Sequence, residues 1–260
     1  MRRAIVLIGV VLGTAAQPAS ADPVLPRVIT APTAWLPPAG TVVISAGTDH
    51  RGAGMADAMI GLGGLASVDI GVDTDVRGCD VCEGDDANAE GLWLGRAGFR
   101  LGARQDAAFA GSPALVLGVR TTFAAGGRAF SAARVTDAYL VASRTLGPIR
   151  VHAGGQVTEA AFDDNEAHMK PTFRSFAGLE WTPAMYPRTT LLADMAWLPE
   201  LRTTGTIEQE WVADWGVRYQ AFRWGSVELA VRHREDEGLD GSTVMVRFNA
   251  IATPKKAPKK

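Results

Sequence analysis

Long apolar runs are missing after the first 21 residues, where no stretch reaches the ~18 consecutive apolar residues that a transmembrane helix needs. An excess of one charge is missing too, because 26 basic and 28 acidic residues leave a net charge of −2. This balance gives no indication of nucleic-acid binding. Long leucine-rich periodic runs are also absent, whereas glycine is plentiful at 29 residues. The composition therefore argues against a helical membrane protein and favours a β-rich chain.

Cysteine is scarce, and both cysteines lie in one acidic stretch, "DVRGCDVCEGDDANAE" at 75–90. A CxxC pair can be redox-active, metal-binding or haem-attaching, but no histidine follows Cys82 and no second CxxC exists. In an oxidising exported setting, a local disulfide between Cys79 and Cys82 is the simpler expectation. The surrounding acids lack the ordered spacing of a calcium loop, so we expect no metal site and no cofactor.

Catalytic motifs are absent as well. The outer-membrane phospholipases carry a His-Gly-x-Ser-Asn type motif, whereas His152 is followed by "AGGQ" in this chain. No Ser/His/Asp arrangement is visible, although such a triad can be assembled from residues far apart in sequence. The sequence therefore predicts a protein that is not an enzyme.

The first 21 residues have the three parts of a secretory signal peptide: the basic "MRR", the apolar "AIVLIGVVLG" and the small-residue site "ASA" ending at Ala21. The apolar run contains no cysteine, which argues against a lipoprotein. We therefore expect an exported chain that is either a soluble β-rich domain or a β-barrel in an outer membrane.

The stretch "WVADWGVRYQ" at 211–220 fits a helix, because its aromatics are four residues apart. It also fits a strand, because all three aromatics lie at odd positions and would share one face. Gly216 at its centre disfavours a helix. The same two-residue period recurs in "SVDIGVDTDV" at 67–76 and in many other windows, which indicates strands throughout. We count about twelve segments, near 41–49, 57–63, 67–76, 91–103, 113–123, 134–145, 149–159, 171–182, 188–197, 208–220, 226–234 and 242–250.

Three features favour a membrane barrel over a soluble β-sandwich. Charged residues recur in the middle of one strand face, as expected for a polar lumen: Arg96, Arg100, Arg120, Arg174, Glu180, Asp194, Asp214, Arg218, Glu228 and Arg232. Aromatic residues predict interfacial girdles: Trp93, Trp181, Trp197, Trp211, Trp215, Tyr219 and Phe248. Connections alternate between short turns and longer polar loops, which a sandwich has no reason to do.

The ends of the chain complete the predicted organisation. Residues 1–21 form the signal peptide, 22–250 an up-and-down antiparallel barrel, and 251–260 a basic, disordered periplasmic tail, "IATPKKAPKK". The last strand contains Phe248, similar to the terminal aromatic signal of outer-membrane barrels. If the lumenal charges all pair, the barrel is plugged and serves as a scaffold; if they separate by sign, the lumen favours polar or anionic solutes.

Two stretches, "VITAPTAWLPPAGTVVISAG" at 28–47 and "GLEWTPAMYPRTTLLADMAW" at 178–197, resemble porin-like outer-membrane barrels associated with exopolysaccharide export. Small barrels of this kind also resemble outer-membrane parts of trans-envelope machines, including gliding-motility complexes of Gram-negative bacteria. The resemblance implies a structural component of such a complex, in contact with lipid, lipopolysaccharide and periplasmic or outer-membrane proteins. A narrow porin for small polar or anionic solutes is the first alternative, and a secreted β-sandwich is the second.

Overall fold

The computed structural model describes residues 25–51, 53–73, 77–78, 90–91, 94–124, 134–162, 167–201 and 207–254. The predicted signal peptide at 1–21, both cysteines, Trp93 and the tail from residue 255 lie outside the described residues. The strands are β1 (Val42–Asp49), β2 (Gly54–Leu62), β3 (Ala66–Asp73), β4 (Arg77–Gly78), β5 (Glu90–Gly91), β6 (Leu94–Ala103), β7 (Ala114–Ala124), β8 (Arg134–Leu146), β9 (Ile149–Phe162), β10 (Ala167–Trp181), β11 (Thr189–Leu201), β12 (Ile207–Phe222), β13 (Gly225–Arg234) and β14 (Thr243–Ala252).

Twelve of these strands form one closed wall. Each wall strand pairs antiparallel with its neighbours in sequence, and β1 pairs with β14 from Val42↔Ala252 to Asp49↔Met245. The pairing of β10 with β11 completes the ring. Closure leaves no free end of the sheet, which is how a β structure satisfies its backbone in lipid. The predicted twelve-stranded up-and-down barrel is confirmed, and the β-sandwich alternative is wrong.

The alternation of side chains sets which face of the wall is polar. In β12, Asp214 and Arg218 are buried inside the barrel, whereas Trp215, Val217 and Tyr219 are exposed on the outer face. The same arrangement, with polar residues inside and apolar residues outside, holds around the ring. Its exposed outward residues include Ile70, Leu101, Leu117, Leu140, Leu179 and Leu229. A soluble sandwich would bury this apolar face, whereas here it covers the outside of the molecule.

Some strand bounds differ from the sequence expectation. The weak segment at 57–63 begins earlier, at Gly54, and the last strand runs to Ala252 instead of 250. Ile251 and Ala252 therefore belong to the wall, opposite Val43 and Val42, and not to the tail. No helix in the described part of the chain is long and apolar enough to cross a membrane.

Connections at one end of the barrel, the short-turn end, are shorter on average than those at the other, the long-loop end, with 104–113 and 182–188 as exceptions. At the short-turn end, the strands are joined by 63–65, 104–113, 147–148, 182–188 and 223–224. At the long-loop end, they are joined by 50–53, 74–93, 125–133, 163–166, 202–206 and 235–242. The connection 74–93 contains β4, which pairs with β11 at Glu200 on the side of the ring opposite β3.

Residues 25–41 do not join the wall, although they lie within the predicted barrel domain at 22–250. They form a hairpin inside the lumen, which we call the plug, closed by hydrogen bonds from Val28 N to Ala31 O (3.0 Å) and from Thr33 N to Pro26 O (2.9 Å). Four prolines in this segment, at 26, 32, 37 and 38, cannot donate to a strand ladder. The plug enters from the short-turn end, where Leu25 packs on Val43 and Met59.

Candidate functional site

The candidate site is the lumen, where wall charges and plug meet. A chain of buried ion pairs links four wall strands: Arg218 donates to Glu228 (2.7 Å) and to Glu180 (3.0 Å), and Arg247 also donates to Glu228 (2.9 Å). Asn249 donates to the same Glu228 carboxylate at 2.7 Å. Since each charge has several partners, the network supports itself, and loss of one member would leave buried charge uncompensated.

Further ion pairs continue around the ring. They are Arg232–Asp214 (3.0 Å), Arg150–Glu180 (3.0 Å), Arg120–Asp137 (3.0 Å), Arg27–Asp57 (2.5 Å) and Arg96–Asp57 (3.7 Å). Arg27 belongs to the plug, so the last two pairs join plug and wall through one carboxylate. Most lumenal charges of the described residues are therefore paired in this state.

The structure places the ten predicted lumenal residues as follows. Eight are buried on the inner face: Arg96, Arg100, Glu180, Asp194, Asp214, Arg218, Glu228 and Arg232. Arg120 and Arg174 are half-buried, with Arg120 beside the Tyr139 ring and Arg174 over the Trp197 ring.

Asp194 holds the tip of the plug. Its Oδ2 accepts hydrogen bonds from three successive backbone N–H groups, those of Ile29 (2.7 Å), Thr30 (2.9 Å) and Ala31 (3.0 Å). Directly opposite on β12, Asp214 accepts a hydrogen bond from the Thr30 hydroxyl at 2.5 Å. Three donors converging on one oxygen form an anion-binding nest. We call the contact of Asp194 with residues 29–31 the latch.

Arginines hold the carbonyl groups of the plug. Arg218 and Arg247 donate to Val28 O at 3.1 Å and 2.7 Å, and Arg247 also donates to Ile29 O at 2.9 Å. On the far side of the lumen, Arg100 donates to Thr33 O. Carboxylates and arginines of the wall therefore form hydrogen bonds with the backbone N–H and C=O groups of the plug. Without these partners the buried backbone groups of this irregular segment would be destabilising.

Ser143 and His152 form a pair that sequence reasoning missed, with Ser143 Oγ and His152 Nδ1 2.7 Å apart. A serine beside a histidine can serve as a nucleophile and its base. Here Ser143 Oγ accepts a hydrogen bond from Ala34 N of the plug at 2.7 Å, and Trp35 packs edge-on against His152. Both residues are buried, so in this state the pair anchors the plug. Ser143 and His152 lie opposite each other on β8 and β9, so their pairing could be predicted only once the register of these two strands was known.

Apolar contacts complete the packing of the plug. Ala31 and Ala34 lie in a buried cluster with Val116, Val141 and Phe176, and Val28 and Ile29 pack on Leu192 and Ala230. Gly178 leaves room for the tip, because a Cβ there would lie 2.8 Å from Val28 Cγ2. The latch and this close approach join the two stretches that carried the family resemblance, 28–47 and 178–197.

The predicted girdle residues take different positions. Trp181, Trp215, Tyr219 and Phe248 are exposed on the outer face, Trp211 is half-buried with its ring centroid 5.6 Å from that of His233, and Trp197 lies under Arg174. Trp215 and Phe248 lie in the middle of β12 and β14, so they are not at strand ends as a girdle requires. Sequence reasoning missed other exposed aromatics: Phe123 and Phe222 at the ends of β7 and β12, Trp224 in the turn after β12, and Phe173 in the middle of β10.

Among the described residues, three carboxylates approach within 4.8 Å of one another, those of Glu200, Glu210 and Asp236 near the long-loop end. Close carboxylates without further ligands do not define a metal site. They add acidic charge to that part of the lumen.

Comparisons with known proteins give the fold. No protein-family model matches the sequence, and no curated protein matches it significantly. The KdgM porin in complex with disordered oligogalacturonate superposes with a TM-score of 0.52 at 7% identity, covering 81% of this chain and 98% of the porin. The NanC porin gives a TM-score of 0.52 at 8% identity, covering 82% of this chain and 100% of the porin. None of these porins indicates the exopolysaccharide-export type in particular. The chain has the fold of a porin-like outer-membrane β-barrel.

Proposed function

We propose that this protein is an outer-membrane channel for small polar or anionic solutes, closed in the present state by its own plug. The observation that carries the proposal is a charged lumen inside an apolar outer wall, with a plug held mainly through its backbone. Release of the plug would break the Arg27–Asp57 pair and the apolar contacts of the plug, but none of the ion pairs between wall residues.

The outer surface supports a place in the bilayer. On β10, Trp181 at the short-turn end and Phe173, six residues inside the strand end at Ala167, both face outward. Eight residues separate them, about 26 Å along the strand at the usual rise. At the usual tilt of such strands this is about 20 Å of height, close to the apolar band of outer-membrane barrels.

The lumenal charges are divided unevenly around the ring, which supports the choice of solute. Strands β6–β10 carry five inward arginines: Arg96, Arg100, Arg120, Arg150 and Arg174. Strands β11–β13 carry five inward carboxylates, Asp194, Glu200, Glu210, Asp214 and Glu228, against three inward arginines, Arg218, Arg232 and Arg234, whereas β6–β10 carry two inward carboxylates, Asp137 and Glu180. Arg100 has neutral partners in the described residues, Thr33 O and Met59 Sδ, the latter at 3.8 Å. When the plug leaves, Arg100 becomes a lumenal cation that no carboxylate of the described residues pairs with, which favours anions. The KdgM porin was solved in complex with oligogalacturonate, and this agrees with the proposed channel for polar or anionic solutes.

Single-channel conductance in planar bilayers tests the proposal. The wild-type protein should conduct rarely, whereas Gly178→Leu should conduct stably, because its side chain occupies the place of Val28. Ala177→Leu adds the same side chain to the outer face of the same strand and should behave as wild type. Adding Arg100→Gln to Gly178→Leu should lower the preference for anions. Silence from a folded Gly178→Leu protein would overturn the channel function.

A second function is supported by the filled lumen and its paired charges: a structural component of a trans-envelope complex, such as one for motility or polysaccharide export. This function requires no conductance from any variant, but co-purification with periplasmic or outer-membrane proteins. Removal of residues 255–260 tests whether the basic tail holds such partners. The truncation must spare Ile251 and Ala252, which belong to β14.

A further inference from the structure

The junction that closes the barrel is much shorter than its neighbours. Five residue pairs join β10 to β11, from Ala177↔Met195 to Trp181↔Leu191. Thirteen pairs join β10 to β9, and thirteen join β11 to β12. Both strands continue towards the long-loop end, β10 as far as Ala167 and β11 as far as Leu201. Above the five pairs they separate, and the freed edge of β11 next pairs with β4 at Glu200. The stretch of wall between the pair Ala177↔Met195 and that contact is a lateral opening, which we call the seam.

Two prolines lie where β10 and β11 no longer pair. Pro171 lies in the part of β10 beyond its last pair with β11, where the register of β10 with β9 also shifts between Met169 and Thr172, and Pro199 lies in the part of β11 beyond its last pair with β10. Proline has no N–H to donate and interrupts a ladder wherever it stands inside one. The two prolines therefore disfavour further pairing of β10 with β11, although β4 of the same chain pairs with β11 beside Pro199, at Glu200.

A cation occupies the seam. Arg174 is two residues from the inward-facing Phe176, so it belongs to the inner face of β10. Trp197 pairs with Trp211, which faces outward on β12, so Trp197 belongs to the outer face of β11. Even so, the Arg174 guanidinium lies over the Trp197 ring, 4.8 Å from its centroid. Two residues on opposite faces can meet in this way only through the opening between their strands. Gln156 reaches the same place and donates to Trp197 O at 3.0 Å.

This cation has no acidic partner in the described part of the chain. The only hydrogen bond of Arg174 there goes to Phe173 O at 3.3 Å, and its buried Nε has no acceptor. Outside the seam the wall is apolar, with Phe173 65% exposed and Met195 44% exposed. An arginine at the edge of the apolar band is expensive unless an anion neutralises it. Phosphate is the anion that a planar guanidinium binds best, and the bilayer supplies it attached to acyl chains.

We propose that the seam between β10 and β11 binds an anionic phospholipid, with its phosphate on Arg174 and its acyl chains along Phe173 and Met195. This site rests on the membrane location proposed above but not on conduction. It gives the barrel a lateral lipid site distinct from the lumenal plug.

Native mass spectrometry of the purified mature protein tests the site, with phosphatidylglycerol and phosphatidylcholine of equal chain length as probes. One phosphatidylglycerol should remain bound to the wild type in preference to phosphatidylcholine. Arg174→Gln should bind it about tenfold more weakly, because a charge-assisted hydrogen bond is lost. Arg188→Gln, the same charge change in an exposed turn at the other end, should leave binding unchanged.

Other outcomes would overturn the proposal. Equal retention of phosphatidylglycerol by wild type and Arg174→Gln would mean that the arginine is an ordinary interfacial cation. Equal binding of free glycerol phosphate would place the anion in the lumen without any role for acyl chains. Phe173→Ser keeps the charge and should weaken the lipid but not glycerol phosphate. Heat-dependent mobility in gels shows whether each variant forms the barrel, so loss of lipid and failure to insert are distinguishable.

Discussion

The latch at Asp194 gives the strongest single test of the plug. Asp194→Ala removes the acceptor of three N–H groups, at 2.7, 2.9 and 3.0 Å, from a wall position that is 7% exposed. Hydrogen bonds to a charged group contribute about 1.5–3 kcal/mol each when measured singly, but bonds that share one oxygen do not add up. Removal of Asp194 also relieves its repulsion with Asp214, directly opposite on β12.

A net loss of about 3 kcal/mol in plug insertion is therefore expected, which changes the ratio of inserted to released plug about 150-fold. Asp194→Asn keeps one oxygen acceptor without its charge and should lie between wild type and alanine. The open probability in planar bilayers should rise in the order wild type, Asn, Ala. Amide hydrogen exchange at residues 29–31 should accelerate in the same order.

Two outcomes would refute this reasoning. If the amides of residues 29–31 stay as protected in Asp194→Ala as in wild type, the latch does not hold the plug. If they exchange quickly while the channel stays silent, the plug moves but does not control the passage. Asp137→Ala is a suitable control, because Asp137 is a lumenal carboxylate on β8 paired with Arg120 and outside the latch.

Further predictions concern the stability of the wall. Arg218→Gln should lower the free energy of unfolding in urea by about 3–5 kcal/mol, because it leaves two buried carboxylates without their shared cation. Arg120→Gln should cost about 1 kcal/mol, since Arg120 is half-buried, and an equal loss in the two variants would contradict the ranking. Deleting residues 255–260 should leave heat-dependent mobility in gels unchanged, whereas deleting 251–260 should weaken closure by removing Ile251 and Ala252 opposite Val43 and Val42. If both truncations behave alike, the end of β14 does not contribute to closure.

The sequence by itself determined the wall of the barrel. Side chains alternate along a strand because of backbone geometry, so a two-residue period reports both the strand and its buried face. For this reason Arg218 and Asp214 could be placed in the lumen, and Tyr219 outside, before any pairing was known. The sorting of short turns and long loops followed from the same segments, since consecutive strands of an up-and-down barrel run in opposite directions.

Only the tertiary structure decided what fills the barrel and where its wall is weak. The plug has neither the two-residue period of a strand nor the period of a helix, because its conformation is set by partners far away in sequence, such as Asp194 for residues 29–31. The pairing of Arg218 with both Glu180 and Glu228 depends on the register of three strands, which alternation does not specify. The seam depends on where β10 and β11 separate, and Pro171 and Pro199 take on their meaning only once those strands are known to be neighbours. Period is a local property of one strand, whereas plug, network and seam arise from contacts between strands.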